Sequence, residues 1–451
     1  MQLHQQNYLM MPVDKENPAI EKIQNLCVSC GICKNVCDSL TVAQLFDLDT
    51  TKQTICMYCG QCAVYCPTAA IRERQDYRTV KDILHKKEKI TVFSIAPSVR
   101  VAVSEVFGAR AGLNLEKKLV TALRRLGADY VMDITFGADL TIMEETTEFL
   151  HRLKTGSTLP MFTSCCPAWV RYAETFYPEI LPYISSCKSP IAMQGAVTKT
   201  YFAAEKGLDA SNILNVTIAP CTAKKAEIQR SGMAASGYMD TDVSLTTREL
   251  ISWLKEEKID LLSLEDGEFD SPLGKGSGAG VIFGNTGGVC EAVIRTAYHF
   301  VTGENMDVNA FPLQAVRGTD GIKEAVIDLA GTKIKVVIAS GLMYGRQLVE
   351  QTLAGEADYQ IVEVMNCPGG CIAGGGQPKS TLLDMQGVKQ RRTDGLYDDD
   401  TVCAKRVSDQ NSEIIEIYEK FLTEPCSEKA IELLHTSYMD RSAVLKGAKA
   451  I

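Results

Sequence analysis

The sequence lacks a surplus of basic residues, a long apolar run and an export signal. Its formal net charge of −9 and pI near 5.3 argue against a nucleic-acid binder or a basic membrane-surface protein. No run approaches the roughly 20 apolar residues that span a bilayer. The N-terminal stretch MQLHQQNYLMMPVDKEN has no basic start with an apolar core and cleavage site, and no twin arginine. We therefore expect a cytoplasmic protein that binds neither nucleic acid nor membrane.

Cysteine, by contrast, is abundant. Thiols stay reduced in the cytoplasm, so seventeen cysteines indicate metal or redox chemistry rather than disulfides. The spacing C-x2-C-x2-C-x3-C occurs twice, a run that binds two 4Fe-4S cubanes with the fourth cysteine of each half crossing to the other cluster. A pair of zinc sites is the alternative, but zinc favours pairs of C-x2-C. The predicted ligand sets are Cys27, Cys30, Cys33 and Cys66 for one cubane, and Cys56, Cys59, Cys62 and Cys37 for the other.

The rest of the chain alternates between strand-like and helix-like segments. The charged stretch RERQDYRTVKDILHKKEK, residues 72–89, predicts a short helix or linker and a domain boundary near residue 80. Apolar, β-rich runs then alternate with helical stretches, which predicts an α/β domain with a largely parallel sheet. The predicted strands are 90–95, 130–134, 159–162, 213–218, 279–283, 334–338 and 361–364. The polar tail predicts helices that wrap this core, with Cys403 and Cys426 as ordinary thiols.

Unusual residues follow five of these runs, at 96–98, 163–167, 219–221, 284 and 365–367. Ligands of open α/β sheets lie at the carboxyl ends of the strands, so these segments should converge on one crevice. Four cysteines there, enough for a further iron–sulfur cluster, are Cys166, Cys221, Cys367 and Cys371. The glycines of VEVMNCPGGCIAGGGQP, residues 362–378, would let backbone close around a bulky inorganic group. A mobile loop that carries cysteines is the alternative.

Three long motifs in this order resemble the iron-only (FeFe) hydrogenases. They are Thr163-Ser-Cys-Cys-Pro-Ala-Trp169, Pro220-Cys-Thr-Ala-Lys-Lys-Ala-Glu227 and Glu363-Val-Met-Asn-Cys-Pro-Gly-Gly-Cys-Ile-Ala-Gly-Gly-Gly-Gln-Pro378. The resemblance implies an α/β H-cluster domain with largely parallel sheets, preceded by a small α+β ferredoxin-like two-cluster domain and followed by helical C-terminal segments. The implied boundaries are 1–22 for an N-terminal lead, 23–80, 81–385 and 386–451.

The family's active site is the H-cluster, a 4Fe-4S cubane joined through one cysteine to a diiron unit with CO, cyanide and azadithiolate ligands. By resemblance, Cys166, Cys221, Cys367 and Cys371 hold the cubane, and Cys371 bridges to the diiron unit. Lys224 would donate to a cyanide ligand; a solvated lysine beside Lys225 is the alternative. Positions that match the pocket lining, although they could equally be core or turn residues, are Ala96, Pro97, Ser98, Ser189, Pro190, Ala219, Pro220, Phe283, Gly284 and Met365.

A proton route is also implied. Cys165 lies beside a predicted ligand but is not needed to complete four-fold coordination. The segment Thr141-Ile-Met-Glu144 predicts a capping box that gives Glu144 a structural role. Residues 145, 148 and 152 share one helix face, which in most helices is simply solvated. The resemblance makes that face part of a relay to solvent through Cys165, Glu145, Ser185, Glu148 and Arg152, with Cys187 as an extra thiol nearby.

The implied activity is the reversible reaction 2H+ + 2e− ⇌ H2. Electrons would pass through the two 4Fe-4S clusters from a ferredoxin or flavodoxin, and diiron maturation proteins would be further partners. One alternative is a non-catalytic iron–sulfur assembly relative, which should lack the relay and the Lys224 motif. Another is an H2 sensor of the same fold, although sensors usually carry added signalling domains. A plain ferredoxin-type carrier would not need the long α/β region.

Overall fold

The computed structural model of the chain describes residues 13–41, 46–47, 55–307, 315–318, 321–380, 384–445 and 449–450. Part of the predicted N-terminal lead, 1–12, lies outside this set. The strands are β1 Ile20–Lys22, β2 Phe46–Asp47, β3 Ile71–Glu73, β4 Ile90–Ile95, β5 Tyr130–Asp133, β6 Met161–Phe162, β7 Ile213–Ala219, β8 Val243–Thr246, β9 Gly321–Leu329, β10 Thr332–Ser340, β11 Ile361–Met365 and β12 Lys449–Ala450.

Helices connect these strands and form the C-terminal part of the chain. They are α1 Ile32–Thr41, α2 Gln61–Tyr65, α3 Tyr77–Lys86, α4 Pro97–Arg100, α5 Glu116–Leu126, α6 Ile134–Thr155, α7 Pro167–Phe176, α8 Pro190–Val197, α9 Ala203–Glu205, α10 Lys224–Glu227, α11 Thr247–Glu256, α12 Gly278–Ile282, α13 Gly288–Thr302, α14 Leu342–Leu353, α15 Met385–Val402, α16 Ser412–Ile417 and α17 Glu428–Leu434. Within the described residues, no helix is both long and apolar enough to cross a membrane.

Two four-stranded sheets form the centre of the molecule. The first has the order β5-β4-β7-β8 and is parallel throughout. Every residue of β7 is buried, as expected for a strand covered by helices on both faces. The second has the order β6-β11-β10-β9 and is parallel except for the antiparallel edge strand β9. The predicted α/β fold with largely parallel sheets is confirmed.

Two strands of these sheets were not predicted, and one predicted strand is wrong. Strands β8 and β9 are absent from the predicted set, and residues 279–283 fall in the short helix α12 and its C-cap instead of a strand. Ser277 caps this helix by accepting a hydrogen bond from the Gly280 amide at 3.3 Å. A Cβ on Gly280 would lie 2.6 Å from the Thr135 carbonyl oxygen of α6. Helix α12 therefore packs so closely on α6 that only glycine fits at this position.

The start of helix α6 also differs from the prediction. The N-cap is Asp133, whose carboxylate accepts from the Thr135 amide at 2.9 Å. Thr141 lies well inside the helix, where its hydroxyl donates to the Gly137 carbonyl at 3.0 Å. The predicted capping box of Thr141 and Glu144 is therefore wrong. Glu144 is fully buried and contacts the C-terminal segment instead.

The cysteine-rich N-terminal region is small and rests on the α/β core. Strands β1 and β3 pair antiparallel, so β1 begins inside the stretch that was predicted as a lead. Among its described residues, a small set of apolar side chains is buried together: Ala19, Ile20, Ala63 and Ile71. The Thr222 hydroxyl of the second hydrogenase-like motif donates to the Tyr58 carbonyl at 2.7 Å. The cysteine-rich region is thereby joined to the core next to a predicted cluster ligand.

The C-terminal part of the chain is helical, as predicted, and packs on the core. Asp139 of α6 anchors it, because its carboxylate accepts from the Ser408 hydroxyl at 2.7 Å and the Asn411 amide at 2.9 Å. Further along, residues 434–436 run antiparallel to residues 186–188, with the Lys188 amide donating to the Leu434 carbonyl at 2.8 Å. The tail therefore reaches the predicted proton relay.

Candidate active site at the strand ends

The three hydrogenase-like motifs meet around one cavity with about 750 Å³ of empty space, counted to its open mouth. Of the ten pocket positions implied by the resemblance, nine line this cavity, and Ser189 does not. The lining positions are Ala96, Pro97, Ser98, Pro190, Ala219, Pro220, Phe283, Gly284 and Met365. The convergence of strand ends is thus observed, while the role of each residue towards a cofactor stays a prediction.

The four predicted ligand cysteines all line the cavity: Cys166, Cys221, Cys367 and Cys371. Burial is the main factor that raises the pKa of each thiol, to about 12 for Cys371. The Asn366 and Gln61 side-chain amides donate to the Cys367 sulfur at 3.3 and 3.1 Å. Buried thiols that gather in one place and receive amide hydrogen bonds are suited to act as thiolate ligands of iron. The donor set therefore fits an iron–sulfur cluster.

The rest of the cavity wall is largely apolar, and its polar side chains other than thiols are Ser98, Asn366 and the cation Lys224. Lys224 is buried and donates to the Glu227 carboxylate at 2.8 Å and to the Cys165 carbonyl at 3.1 Å. Burial by itself lowers the pKa of Lys224, but the Glu227 carboxylate outweighs burial and raises it. Ser189 donates to the same Glu227 carboxylate at 2.8 Å. An apolar wall with a single fixed ammonium fits a diiron unit with small neutral and anionic ligands.

The glycines after Cys371 make room for protein backbone. A Cβ on Gly375 would lie 1.8 Å from the Cys59 carbonyl oxygen, and one on Gly374 would lie 2.4 Å from the Pro220 carbonyl oxygen. Because glycine has no side chain at these positions, the motif that contains Cys371 can contact both the cysteine-rich region and the second motif. The predicted neighbour of these glycines was an inorganic group, whereas at Gly374 and Gly375 the neighbour is protein backbone.

The predicted relay residues lie in sequence from the cavity towards the surface. The Ser185 hydroxyl donates to the Glu148 carboxylate at 2.8 Å, and the Arg152 guanidinium donates to the same carboxylate at 2.6 Å. Arg152 also donates to the carbonyls of Tyr183 and Ile184 at 3.2 and 3.1 Å. Cys165 at the inner end is buried, and burial with the nearby Glu145 carboxyl raises the pKa of its thiol well above the usual value.

Glu145 lies between these two ends. Both its carboxyl oxygens are buried, and the nearby Ser185 side chain and Ser164 amide lie outside ordinary hydrogen-bond geometry, so they stabilise the charged carboxylate only weakly. Burial first, and then repulsion by the Glu148 carboxylate, raises the pKa of Glu145 to about 8. At neutral pH this side chain is therefore mostly protonated and able to give a proton.

Thiols of the two repeats lie close together in the cysteine-rich region. Cys37 and Cys33 of the first repeat both affect the thiol pKa of Cys62 in the second repeat, and Cys37 also affects that of Cys59. The two ligand sets, Cys27, Cys30, Cys33 and Cys66 for one cubane and Cys56, Cys59, Cys62 and Cys37 for the other, remain predictions.

Sequence reasoning missed several residues that support the site. Glu227 lies three residues after Lys224 in the same motif, so the spacing of opposite charges could have revealed it. Glu363 accepts from the Gly287 and Cys290 amides at the start of α13, at 2.6 and 3.0 Å. Nothing in the sequence connects Gln61 with Cys367, which lies 306 residues away.

Three protein-family models match the chain. "Iron only hydrogenase large subunit, C-terminal domain" covers residues 89–375, "Iron hydrogenase small subunit" covers 386–441, and "4Fe-4S binding domain" covers 52–72. Together with the thiol-lined cavity, these matches define an iron–sulfur redox protein. The first of them spans more than half of the chain. The chain therefore belongs to the iron-only hydrogenase family, and it has sites for 4Fe-4S clusters and for the H-cluster.

Curated relatives agree with this family. Iron hydrogenase 1 of Clostridium pasteurianum is 42% identical over 361 residues, which are 80% of this chain and 62% of that protein. The chain thus spans less than two thirds of that relative's length. The periplasmic [Fe] hydrogenase large subunit of Nitratidesulfovibrio vulgaris is 45% identical over 67% of this chain and 71% of its own. The cytosolic Fe-S cluster assembly factor narfl of Danio rerio is 30% identical over 79% of this chain and 88% of its own.

The solved structure of apo [FeFe]-hydrogenase HydA1 from Chlamydomonas reinhardtii, determined for a single-residue variant, has the same fold. It superimposes with a TM-score of 0.72 at 40% identity, and covers 81% of this chain and 99% of that chain.

Proposed function

We propose that the protein is a hydrogenase that catalyses 2H+ + 2e− ⇌ H2 at an H-cluster. The observation that supports this most is the cavity where three motifs bring four cysteines and Lys224 together, with a line of proton-carrying side chains leading outward from Cys165. A cavity that only stored a cluster would need the cysteines but not the line of proton-carrying side chains.

The proposed ligands of the cubane are Cys166, Cys221, Cys367 and Cys371, with Cys371 also bridging to the diiron unit. When bound, the H-cluster supplies low-valent iron that accepts and releases electrons at the place where hydrogen reacts. Lys224 would offer its ammonium to an anionic ligand of the diiron unit, while Glu227 keeps the lysine charged and oriented.

The proton route is the part of the mechanism that the chain's own side chains perform. Cys165 would exchange a proton with the reacting centre, because its buried thiol stays neutral and close to the cavity. Glu145 would reload it, and Ser185 and Glu148 would carry protons from the surface, where Arg152 orients the Glu148 carboxylate. Each transfer runs between groups that accept and release protons in turn.

Electrons would enter through the cysteine-rich region. Its Gln61 touches both the Cys367 sulfur and the Ala373 carbonyl, at 3.1 and 2.8 Å, which fixes this region beside the cavity. The proposed donors are a ferredoxin or flavodoxin, and insertion of the diiron unit would require dedicated maturation proteins. We also propose a cytoplasmic location, because a chain with seventeen cysteines suits a compartment that keeps thiols reduced for metal or redox chemistry, and cell fractionation with a periplasmic marker would test it.

An infrared spectrum of the matured enzyme tests the proposed function. We expect CO and cyanide stretching bands together with H2 evolution from reduced methyl viologen. The variant Cys371→Ser should lose the bands and the activity, whereas Cys403→Ser, a matched change outside the cavity, should keep both. A matured chain with iron but without these bands would overturn the proposal in favour of an assembly function like that of the narfl relative.

A further inference from the structure

Helix α7 reaches from the cavity to the cysteine-rich region. Its N-cap is Cys166, one of the thiols that line the cavity, and residues 168–170 and 172–175 of the helix are buried in the core. Arg171 lies between these buried residues and is itself half-buried. Its Nε atom donates to the Cys56 carbonyl at 2.7 Å. Because packing fixes the helix, Arg171 has a fixed position beside the first cysteine of the second repeat.

A second contact holds the same guanidinium. The central carbon of the Arg171 guanidinium lies 4.3 Å from the centre of the Tyr58 ring, which is a cation–π contact. The Tyr58 amide in turn donates to the Cys56 sulfur at 3.3 Å, and the Asn17 side-chain amide donates to the same sulfur at 3.5 Å. The positive charge is therefore held against a loop whose cysteine is a predicted cluster ligand.

The charge of Arg171 is not cancelled by a neighbouring acid. Glu174, three residues further along α7, is engaged by Arg230 and Arg441 at 2.6 and 2.8 Å. Within the part of the chain that the structure describes, no carboxylate forms an ion pair with Arg171. Arginine stays protonated at every pH at which proteins work. Arg171 is thus a permanent positive charge.

The second repeat is the part of the cysteine-rich region that lies against the cavity. Gln61, next to Cys62, donates to the Cys367 sulfur at 3.1 Å. Cys30 of the first repeat is exposed instead. Of the two predicted cubanes, the one held by the second triplet and Cys37 would therefore be the inner cubane, and the other would be the outer cubane.

We propose that Arg171 raises the reduction potential of the inner cubane and so favours an electron beside the cavity. A 4Fe-4S cluster with four thiolate ligands gains one negative charge when it accepts one electron, so a fixed cation nearby stabilises the reduced form. The electron comes from the external donor, and Arg171 itself gains or loses neither electron nor proton. The proposal rests on the proposed function and on the predicted ligand set.

An anchor without any effect on potential is the competing interpretation, because the same contacts join α7 to the cysteine-rich region. Two substitutions separate charge from contact. Arg171→Gln removes the charge but keeps a hydrogen-bond donor, whereas Arg171→Lys keeps the charge but loses the planar group that covers the ring. The matched control is Arg78→Gln in α3, where an exposed arginine lies 5.8 Å from the centre of the Tyr77 ring.

The experiment is a redox titration of the matured enzymes, in which electron paramagnetic resonance follows the reduced cubanes. Arg171→Gln should lower the equilibrium constant for reduction of the inner cubane about tenfold, a shift of about 59 mV to lower potential for one electron. Arg171→Lys should keep most of the unchanged potential, and Arg78→Gln should keep all of it. Cys27→Ser, which alters the predicted ligands of the outer cubane, identifies the signal of each cubane.

Three results would overturn the proposal. One is an unchanged inner-cubane potential in Arg171→Gln at full iron content. Another is an equal shift in Arg171→Lys, because the contact and not the charge would then matter. The third is loss of iron from Arg171→Gln, which would assign the residue to anchoring.

The cubane potentials are measured without H2 turnover, so this test is separate from the test of the proposed function. If the matured enzyme lacks CO and cyanide bands but Arg171→Gln still shifts the potential, the proposed function fails and the role of Arg171 stands. If the bands are present and the potential does not move, only the role of Arg171 is wrong.

Discussion

At the scale of single residues, burial separates the two carboxyl groups of the proposed relay. No group among the described residues forms a hydrogen bond of ordinary geometry with the Glu145 carboxyl, and burial with the Glu148 charge raises its pKa to about 8. Glu148, only three residues further on, accepts from Arg152 and Ser185. The two carboxyl groups lie on one helix face, but Glu145 is fully buried whereas Glu148 accepts hydrogen bonds from Arg152 and Ser185. Within the proposed relay, Glu145 is therefore the carboxyl group that would hold a proton at rest.

The raised pKa of Glu145 predicts a pH dependence of stability. The folded-state pKa of about 8 lies above the ordinary value of 4.5, so the folded state favours the protonated form. The associated stability is fully present below pH 4.5 and is lost as pH rises towards 8. Glu145→Gln cannot ionise, so it should become more stable than the unchanged protein by on the order of a few kcal/mol as pH rises.

Melting temperatures of both proteins between pH 5 and about 9 would measure this difference. H2 evolution offers a second measurement on the same pair. The unchanged enzyme should slow above pH 8, because Glu145 then no longer carries a proton at rest. Glu145→Gln should be inactive at every pH while its infrared bands remain. If the melting temperatures of the unchanged protein and Glu145→Gln differed by the same amount at every pH in this range, the raised pKa of Glu145 would be contradicted.

At the scale of elements, close backbone contacts determine how the motifs meet. A Cβ on Gly375 would lie 1.8 Å from the Cys59 carbonyl oxygen. Gly375→Ala should therefore separate the cysteine-rich region from the core and cost about 1–3 kcal/mol, with loss of iron from the purified chain. Thermal unfolding and iron analysis would measure both effects. The control is Gly355→Ala, where the positive φ of 75° costs some stability but the added Cβ meets nothing within 4 Å; equal loss of iron there would show that the contact is unimportant.

Asp139 determines how the C-terminal helices attach to α6. Its buried carboxylate accepts from Ser277, Ser408 and Asn411. Asp139→Ala would leave these buried donors without an acceptor, which should cost about 3 kcal/mol or more. Denaturant unfolding would measure the loss. Asp358→Ala removes only an exposed ion pair with Lys335 and should change stability by less than about 0.5 kcal/mol. Comparable losses in the two variants would argue against the anchoring role.

Sequence patterns predicted the long buried strands and the cysteines that follow them, because period and spacing are local properties. They failed at residues 279–283, where a short apolar run fits a helix as well as a strand. They also failed at residues 141–144, where the capping pattern lies within a long helix. Contacts between distant parts of the chain, such as those of Glu144 with Tyr418 and His435, leave no local signal. The motif residues of the site were thus predictable, and their supporting partners were not.

At the scale of the whole molecule, the described residues of the cysteine-rich region bury few apolar side chains against one another, too few for this part to be stable by itself. Its cluster consists of Ala19, Ile20, Ala63 and Ile71, whereas the α/β core buries several much larger sets. Metal binding should therefore supply much of its folding free energy. After chelation of the iron, limited proteolysis should digest residues 13–73 first and leave the two sheets intact. Equal resistance of both regions in the iron-free protein would contradict this expectation.

The segment that matches the family model of the hydrogenase small subunit, residues 386–441, is continuous with the segment that matches the large subunit. Docking of this part on α6 is therefore intramolecular, and a short covalent connection gives an effective concentration on the order of millimolar. The contacts of Asp139 with Ser408 and Asn411 therefore do not depend on the protein concentration. The same holds for the contacts of His435 with Ser186 and Glu144. An enzyme built in this way keeps its full set of contacts in a cell that makes only a few copies of it.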